Sequence, residues 1–292
     1  MQGEDALPEL SERQRREVEY HKDHARQYAE KHGSIDFGVV SLTERRWWNA
    51  YWEMYRQITL KDMRGRRALV VGCGFGHDAV LLAKLGAQVS AFDLSAELLA
   101  IGQDLAARYE LNVDFQQMPA ERLSYRDGEF DFVLIVDILH HCEVPKALSE
   151  LARVSKPGAT WVIDEIYTHS ALQRLRESTL IVRFVYPFVS RLLYGGKPYI
   201  TEDEHKLDER DVAEIRHWIR ADRIDYYEAI IKRFVPARGR TLSKVDRLLL
   251  MGLRPIALLL GGRFVMSGVV QRSVAMRAVD GGRTSGAVAR NE

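Results

Sequence analysis

The chain has 292 residues, 46% of them hydrophobic, with 42 Lys and Arg against 41 Asp and Glu. That balance excludes a polycation or an acidic solvating tail, and the apolar content, with only 8 Pro and 21 Gly, excludes a disordered or fibrous chain. Cys73 and Cys142 make neither a CxxC pair nor a disulfide framework, and the first residues, MQGEDALPEL, are acidic where a secretory leader is basic and then apolar; a reducing, cytoplasmic setting is expected.

In chain order, residues 1–60 are expected to form a helical cap: a charged helix over 10–31, a loop, and an aromatic-rich helix over 42–58. On the first helix Tyr20, His24 and Tyr28 recur at i, i+4, i+8 and share a face. From residue 67 short apolar strands (68–71, 88–93, 113–118, 130–137, 159–166) alternate with helices (77–86, 95–110, 144–154), with a turn at Lys156-Pro157-Gly158. This alternation predicts right-handed βαβ crossovers and an α/β, Rossmann-like doubly wound sheet. Residues 167–201 break the rhythm as an apolar, arginine-dotted helical lid inserted after the fifth strand. A helix (208–220), a strand (223–231), a helix bent by Pro255 (242–260) and a strand (263–270) bring the sheet to seven strands. The main domain is placed at 61–278 and a disordered tail at 279–292.

The first strand runs into Gly72-Cys73-Gly74-Phe75-Gly76, where missing side chains let the backbone turn sharply and approach a ligand at a helix N-terminus. A dinucleotide fingerprint requires glycine at position 77, which is His77 here, so the spacing speaks against NAD. The second strand ends in Asp93, whose carboxylate can take both hydroxyls of a ribose. Together with the Phe130-Asp131 strand start, the Leu139-His140-His141 turn and Lys156-Pro157-Gly158, this block resembles the class I S-adenosylmethionine-dependent methyltransferases, closely over residues 66–166.

The resemblance implies S-adenosylmethionine as cofactor. It sets Gly72, Cys73, Gly74 and Gly76 against the methionine part, Asp93 on the ribose with Leu94 against the ring, and Met118, Ala120 and Glu121 around the adenine. Two acids common in the family are absent, since Val70 and Pro119 occupy their positions. Asp78, in the first turn of the next helix, is the candidate replacement at the methionine ammonium. The N-terminal extension closes over the cofactor in such enzymes, so Tyr20 and Tyr28 are expected to face the sulfonium by cation–π attraction.

Methyl transfer needs alignment of acceptor, methyl and sulfur and removal of an acceptor proton. The fourth strand ends at Asp137, which is expected beside the cofactor, and the following His140 and His141 are the candidate bases at the carboxyl edge where such sheets bind ligands. Glu165, ending the fifth strand, is a third candidate catalytic group, facing either the acceptor or the interior. Asp137-x-x-His140-His141 also resembles the acid-x-x-acid-His turn of metal-dependent quinone-ring O-methyltransferases. His140 stands where their second acid does, so no metal ligand is assigned, and a divalent ion is left as a minor alternative.

The apolar lid points to a hydrophobic or amphipathic small-molecule acceptor, methylated on oxygen, with nitrogen, carbon or a non-catalytic cofactor-binding subunit as alternatives. Residues 232–272 hold nine Lys and Arg and one acid, Asp246. Nucleic acid is not expected, because neither an Asn/Asp-Pro-Pro-aromatic turn nor an RNA-binding module is present. Within 242–260 the basic residues share a face against many leucines, a pattern that fits peripheral membrane contact or an anionic acceptor. The apolar stretches 179–193 and 248–260 are too short to span a bilayer.

Overall fold

The computed structural model describes residues 10–16, 18–19, 34–41, 44, 46–179, 183, 206–229 and 240–271. Tyr20, Tyr28, most of the expected lid and the tail from 279 lie outside the described residues. Strands β1 (Arg67–Val71), β2 (Gln88–Asp93), β3 (Val113–Gln117), β4 (Phe130–Val136), β5 (Ser155–Ile166), β6 (Ile219–Tyr227) and β7 (Arg263–Val270) form one sheet in the order β3-β2-β1-β4-β5-β7-β6. β7 runs antiparallel to β5 and β6, and the other pairings are parallel. The chain winds outward from β1 to β3, then returns to β4 beside β1, which opens a crevice at the carboxyl ends of those two central strands.

The central strands are apolar at every position along their middles because both faces are covered. Leu69, Val71, Val133, Ile135, Trp161 and Ile163 face one core, shared with helices α4 (Val144–Val154) and α6 (Glu209–Trp218), between which α5 (Ser170–Glu177) lies in the chain. Ala68, Val70, Phe132, Leu134 and Val162 face the other, with α1 (Ala50–Thr59) and α2 (His77–Lys84). The alternation by one residue follows from the period of two along a strand. α4 buries Val144, Ala147, Leu148, Leu151 and Ala152, the i, i+3, i+4, i+7, i+8 stripe of a helix lying on a sheet. α3 (Ala96–Arg108) is capped by Ser95, whose Oγ accepts from Leu98 N at 3.2 Å.

Several boundaries differ from the sequence expectation for local reasons. The helix expected from 42 begins at Ala50, because Asn49 caps it by accepting from Trp52 N at 3.0 Å. The strand expected at 223–231 starts at Ile219, which pairs with Val270 and is fully buried. The expected turn at Lys156–Gly158 is an irregularity within β5: the register with β4 shifts between Phe130 and Phe132, and Gly158 takes φ 86. The helix over 242–260 breaks as foreseen at Pro255, giving α7 (Arg240–Gly252), a short 3-10 turn (Arg254–Ile256) and a last helical turn (Ala257–Leu260).

The irregular start of β5 is held by Ser155, whose Oγ accepts from buried Trp161 Nε1 at 2.8 Å and donates to Leu151 O at 2.6 Å. Ser155→Ala strands the indole N–H in the core, so unfolding free energy should fall by about 1–3 kcal/mol. Urea denaturation measures this, and an unchanged midpoint would mean that the indole finds another acceptor.

Candidate active site

The crevice at the carboxyl edge is a pocket of about 740 Å³, its open mouth included. Gly72 and Gly74 form one wall, Phe92 to Ser95 the next, Met118, Ala120 and Glu121 a third, and Asp137, Ile138, His141 and Cys142 the fourth. The first turn of the N-terminal helix closes over it: Gln14 and Val18 line the pocket, Gln14 Nε2 donates to Glu121 Oε2 at 3.1 Å, and Arg13 Nη2 donates to His140 O at 2.9 Å.

The glycine turn divides its work. Gly72 has φ 57, and a Cβ there would lie 2.4 Å from Ile138 Cγ1, so the turn can pack on the chain leaving β4 only without a side chain. Gly74, φ 50, has open space where its Cβ would be, and its N–H donates to Asp93 Oδ2 at 2.9 Å. Asp93 Oδ1 accepts from Ser95 N at 3.0 Å, so the carboxylate is fixed by backbone on both sides. Gly76 is not on the pocket wall; a Cβ there would lie 2.8 Å from Gly102 Cα, and its role is the close approach of α2 to α3. Cys73 is also off the wall, with its thiol pushed well up by burial.

Asp78 sits behind the turn rather than on the wall. Its Oδ1 accepts from Tyr55 Oη at 2.6 Å and from Tyr51 Oη at 2.8 Å. Burial raises its carboxyl above the usual range against the pull of both hydroxyls. The two tyrosines come from the cap helix α1, so the structure links the cap to the glycine turn through a contact that the sequence reading did not foresee.

At the β4 exit the adjacent histidines separate. His140 is buried, and its Nδ1 lies 2.9 Å from Glu165 Oε2. Glu165, fully buried, accepts on Oε1 from Ile138 N and Leu139 N, both at 2.6 Å. Glu165 therefore faces the turn, not the pocket, whereas His141 lines the pocket. Asp137, also on the wall, takes φ 48 and receives Arg263 Nη2 on both oxygens, at 2.8 and 2.9 Å. Arg263 Nη1 donates to buried Asp164 at 2.8 Å, where burial outweighs the guanidinium and pushes the carboxyl up to about 7. Asp137, His140 and Glu165 bring one donor atom each within 4.8 Å of one another. Those donors are already turned to protein groups, namely the Arg263 guanidinium, two backbone N–H groups and each other. The set that the structure assembles also replaces His141 of the sequence-level metal alternative with Glu165.

A family model described as a methyltransferase domain matches residues 69–163, from β1 into β5. A ubiquinone biosynthesis O-methyltransferase of Burkholderia ambifaria is 32% identical over 164 residues, which are 52% of this chain and 68% of that protein. One of Xanthomonas oryzae pv. oryzae is 29% identical over 181 residues, 61% of this chain and 71% of that protein. Among solved structures, magnesium protoporphyrin IX methyltransferase from Synechocystis PCC 6803 with bound SAH shares the fold at a TM-score of 0.54 and 14% identity, covering 89% of this chain and 100% of that one. The chain belongs to the class I S-adenosylmethionine-dependent methyltransferases. It is an enzyme that uses S-adenosylmethionine as methyl donor.

The pocket fits that cofactor on its own chemistry. It offers a carboxylate fixed at the end of β2 for a diol, apolar Leu94, Met118 and Ala120 for a flat ring, and backbone at Gly74 where a Cβ would enter open space. Asp93→Ala removes the carboxylate offered to the diol, and S-adenosylhomocysteine should then bind about 2–4 kcal/mol more weakly by calorimetry. Gly74→Val, which puts a β-branched side chain on left-handed backbone (φ 50) at the pocket wall, should strain the turn and abolish binding while circular dichroism still shows a folded sheet. Undiminished affinity in Asp93→Ala would remove that residue from the ribose.

Proposed function

We propose that the chain methylates oxygen on an apolar or amphipathic small molecule, with His141 as general base. The observation that carries this reading is the division of the two histidines: Glu165 anchors His140, and His141 shares the pocket wall with Asp93, Leu94 and Met118. The name of the curated relatives, ubiquinone biosynthesis O-methyltransferase, supports oxygen as the acceptor atom and a quinone-type ring as its carrier.

When bound, S-adenosylmethionine supplies an electrophilic methyl group on a sulfonium. The protein's part is holding and proton removal. Asp93 orients the ribose from a carboxylate already fixed by Gly74 N and Ser95 N. Leu94, Met118 and Ala120 exclude water from the ring, and Glu121 is held at its edge by Gln14 and by Glu143 N, the latter at 3.0 Å. Gln14 and Val18 shield the mouth. His141 takes the proton of the acceptor hydroxyl as the oxygen becomes nucleophilic. His140 is a positioning residue: its ring, held by Glu165, fixes the backbone that carries His141.

With an apolar phenol as acceptor, His141→Ala should lower kcat by about 100-fold, with affinity for S-adenosylhomocysteine nearly unchanged. Full turnover in that variant would mean that the acceptor is already nucleophilic unaided, a carboxylate or thiolate rather than a hydroxyl.

A further inference from the structure

Helix α7 and the turn after it are charged on the inside and apolar on the outside. Asp246 and Arg247 are only 3% and 8% exposed. Asp246 Oδ2 accepts from Ala229 N at 2.6 Å. Arg247 donates to Tyr226 O at 2.6 Å and to Asp225 Oδ1 at 3.0 Å, with its guanidinium 4.0 Å over the Tyr227 ring. Leu250 and Ala257 complete this inward face. Outward stand Val245, Leu248, Leu249 and Met251, then Ile256, Leu258 and Leu259, with Leu248 at 56% and Met251 at 52% exposure. Single exposed apolar residues need no explanation, but a run of seven is a surface that binds something.

Charge identifies the partner. Between 240 and 260 the exposed charged residues are Arg240, Lys244 and Arg254, all cations, and the one acid of the segment, Asp246, is buried. The Lys244 ammonium lies 4.4 Å over the Trp48 ring, a pairing suited to a headgroup boundary. A second copy of the same face would bring like charges together, whereas an anionic bilayer offers apolar depth under negative headgroups. Among the described residues no helix is long and apolar enough to cross a membrane, so the contact is peripheral. The segment leads through Gly261 and Gly262 into Arg263, which pairs with Asp137 on the pocket wall, so its C-terminal end lies at the sheet edge onto which the pocket opens.

We infer that the outward face of residues 240–260 docks on an anionic lipid bilayer, with Leu248, Leu249 and Met251 entering the headgroup boundary and Arg240 and Arg254 meeting negative headgroups. The test is cosedimentation of the full chain with vesicles of phosphatidylcholine and phosphatidylglycerol in equal parts, against phosphatidylcholine alone; it reads lipid binding without turnover and so stands apart from the acceptor reading. The chain should bind the mixed vesicles, more weakly as salt rises. Arg240→Gln/Arg254→Gln should weaken binding about 30-fold. Leu248→Asp/Met251→Asp should abolish it, with S-adenosylhomocysteine affinity and circular dichroism unchanged in both variants. Four results overturn the inference: wild type that ignores the mixed vesicles; equal binding to both vesicle types; binding indifferent to Leu248→Asp/Met251→Asp; and a dimer in light scattering that this variant dissociates.

Discussion

One buried carboxylate holds the working edge together. Glu165 accepts from Ile138 N, Leu139 N and His140 Nδ1, three donors that belong to the loop leaving β4. Parallel pairing of Val136 with Asp164 sets Glu165 one residue beyond the end of β4, where that loop turns. Asp164 and Glu165 are neighbours on a strand and point to opposite faces, so one reaches Arg263 and the other the loop. Inside the protein such a network is worth having only if every member is satisfied, since a stranded carboxylate or N–H costs more than the bond contributes. Satisfied, it fixes the direction of His140 and with it the placement of the next residue, His141, on the pocket wall.

The second constraint comes from the one strand that runs the other way. In an all-parallel sheet every strand ends at the ligand edge and none begins there. β7 begins there because it is antiparallel, and Ile166 pairs with Arg263 at its first position. That brings a guanidinium between Asp137 and Asp164. Asp137 takes a left-handed conformation, which Asp tolerates better than most residues but which still needs support from its surroundings. The bidentate contact from Arg263 supplies it. Losing one partner of the buried Arg263–Asp164 pair costs about 3–5 kcal/mol, far more than the exposed contact to Asp137 contributes.

The order of elements, the glycine turn and Asp93 were legible because each rests on a local rule: apolar period, missing Cβ, and an acid where a strand ends. The wall residues Leu94, Met118, Ala120 and Glu121 came from the family resemblance rather than from such a rule, and the structure places them around one pocket with Asp137, which ends the fourth strand. What stayed hidden was set by distant contacts. Which histidine faces the pocket depends on Glu165, in another strand. Arg263 lies 126 positions from Asp137 with no spacing rule to join them. The tie between Asp78 and the cap tyrosines Tyr51 and Tyr55 needs α1 to pack over α2, which periodicity alone does not specify. Gly76, read with the other glycines, proved to answer a packing demand from Gly102.

α7 shows why an amphipathic pattern does not state which side is in. Leu248, Leu249 and Met251 stand on the face opposite Asp246 and Arg247, and burial of the apolar side is the ordinary outcome, since each large apolar side chain kept from water gains about 1.5–3 kcal/mol. Here Asp246 and Arg247 win the inner face because β6 and the second residue beyond its end present fixed partners to them: Tyr226 O, Asp225 and Ala229 N. Pairing offsets the desolvation of the charges, but it returns nothing for the half-exposed leucines outside. A helix packed this way forgoes several kcal/mol of apolar burial in water, and it recovers that burial once its outer face meets a phase without water.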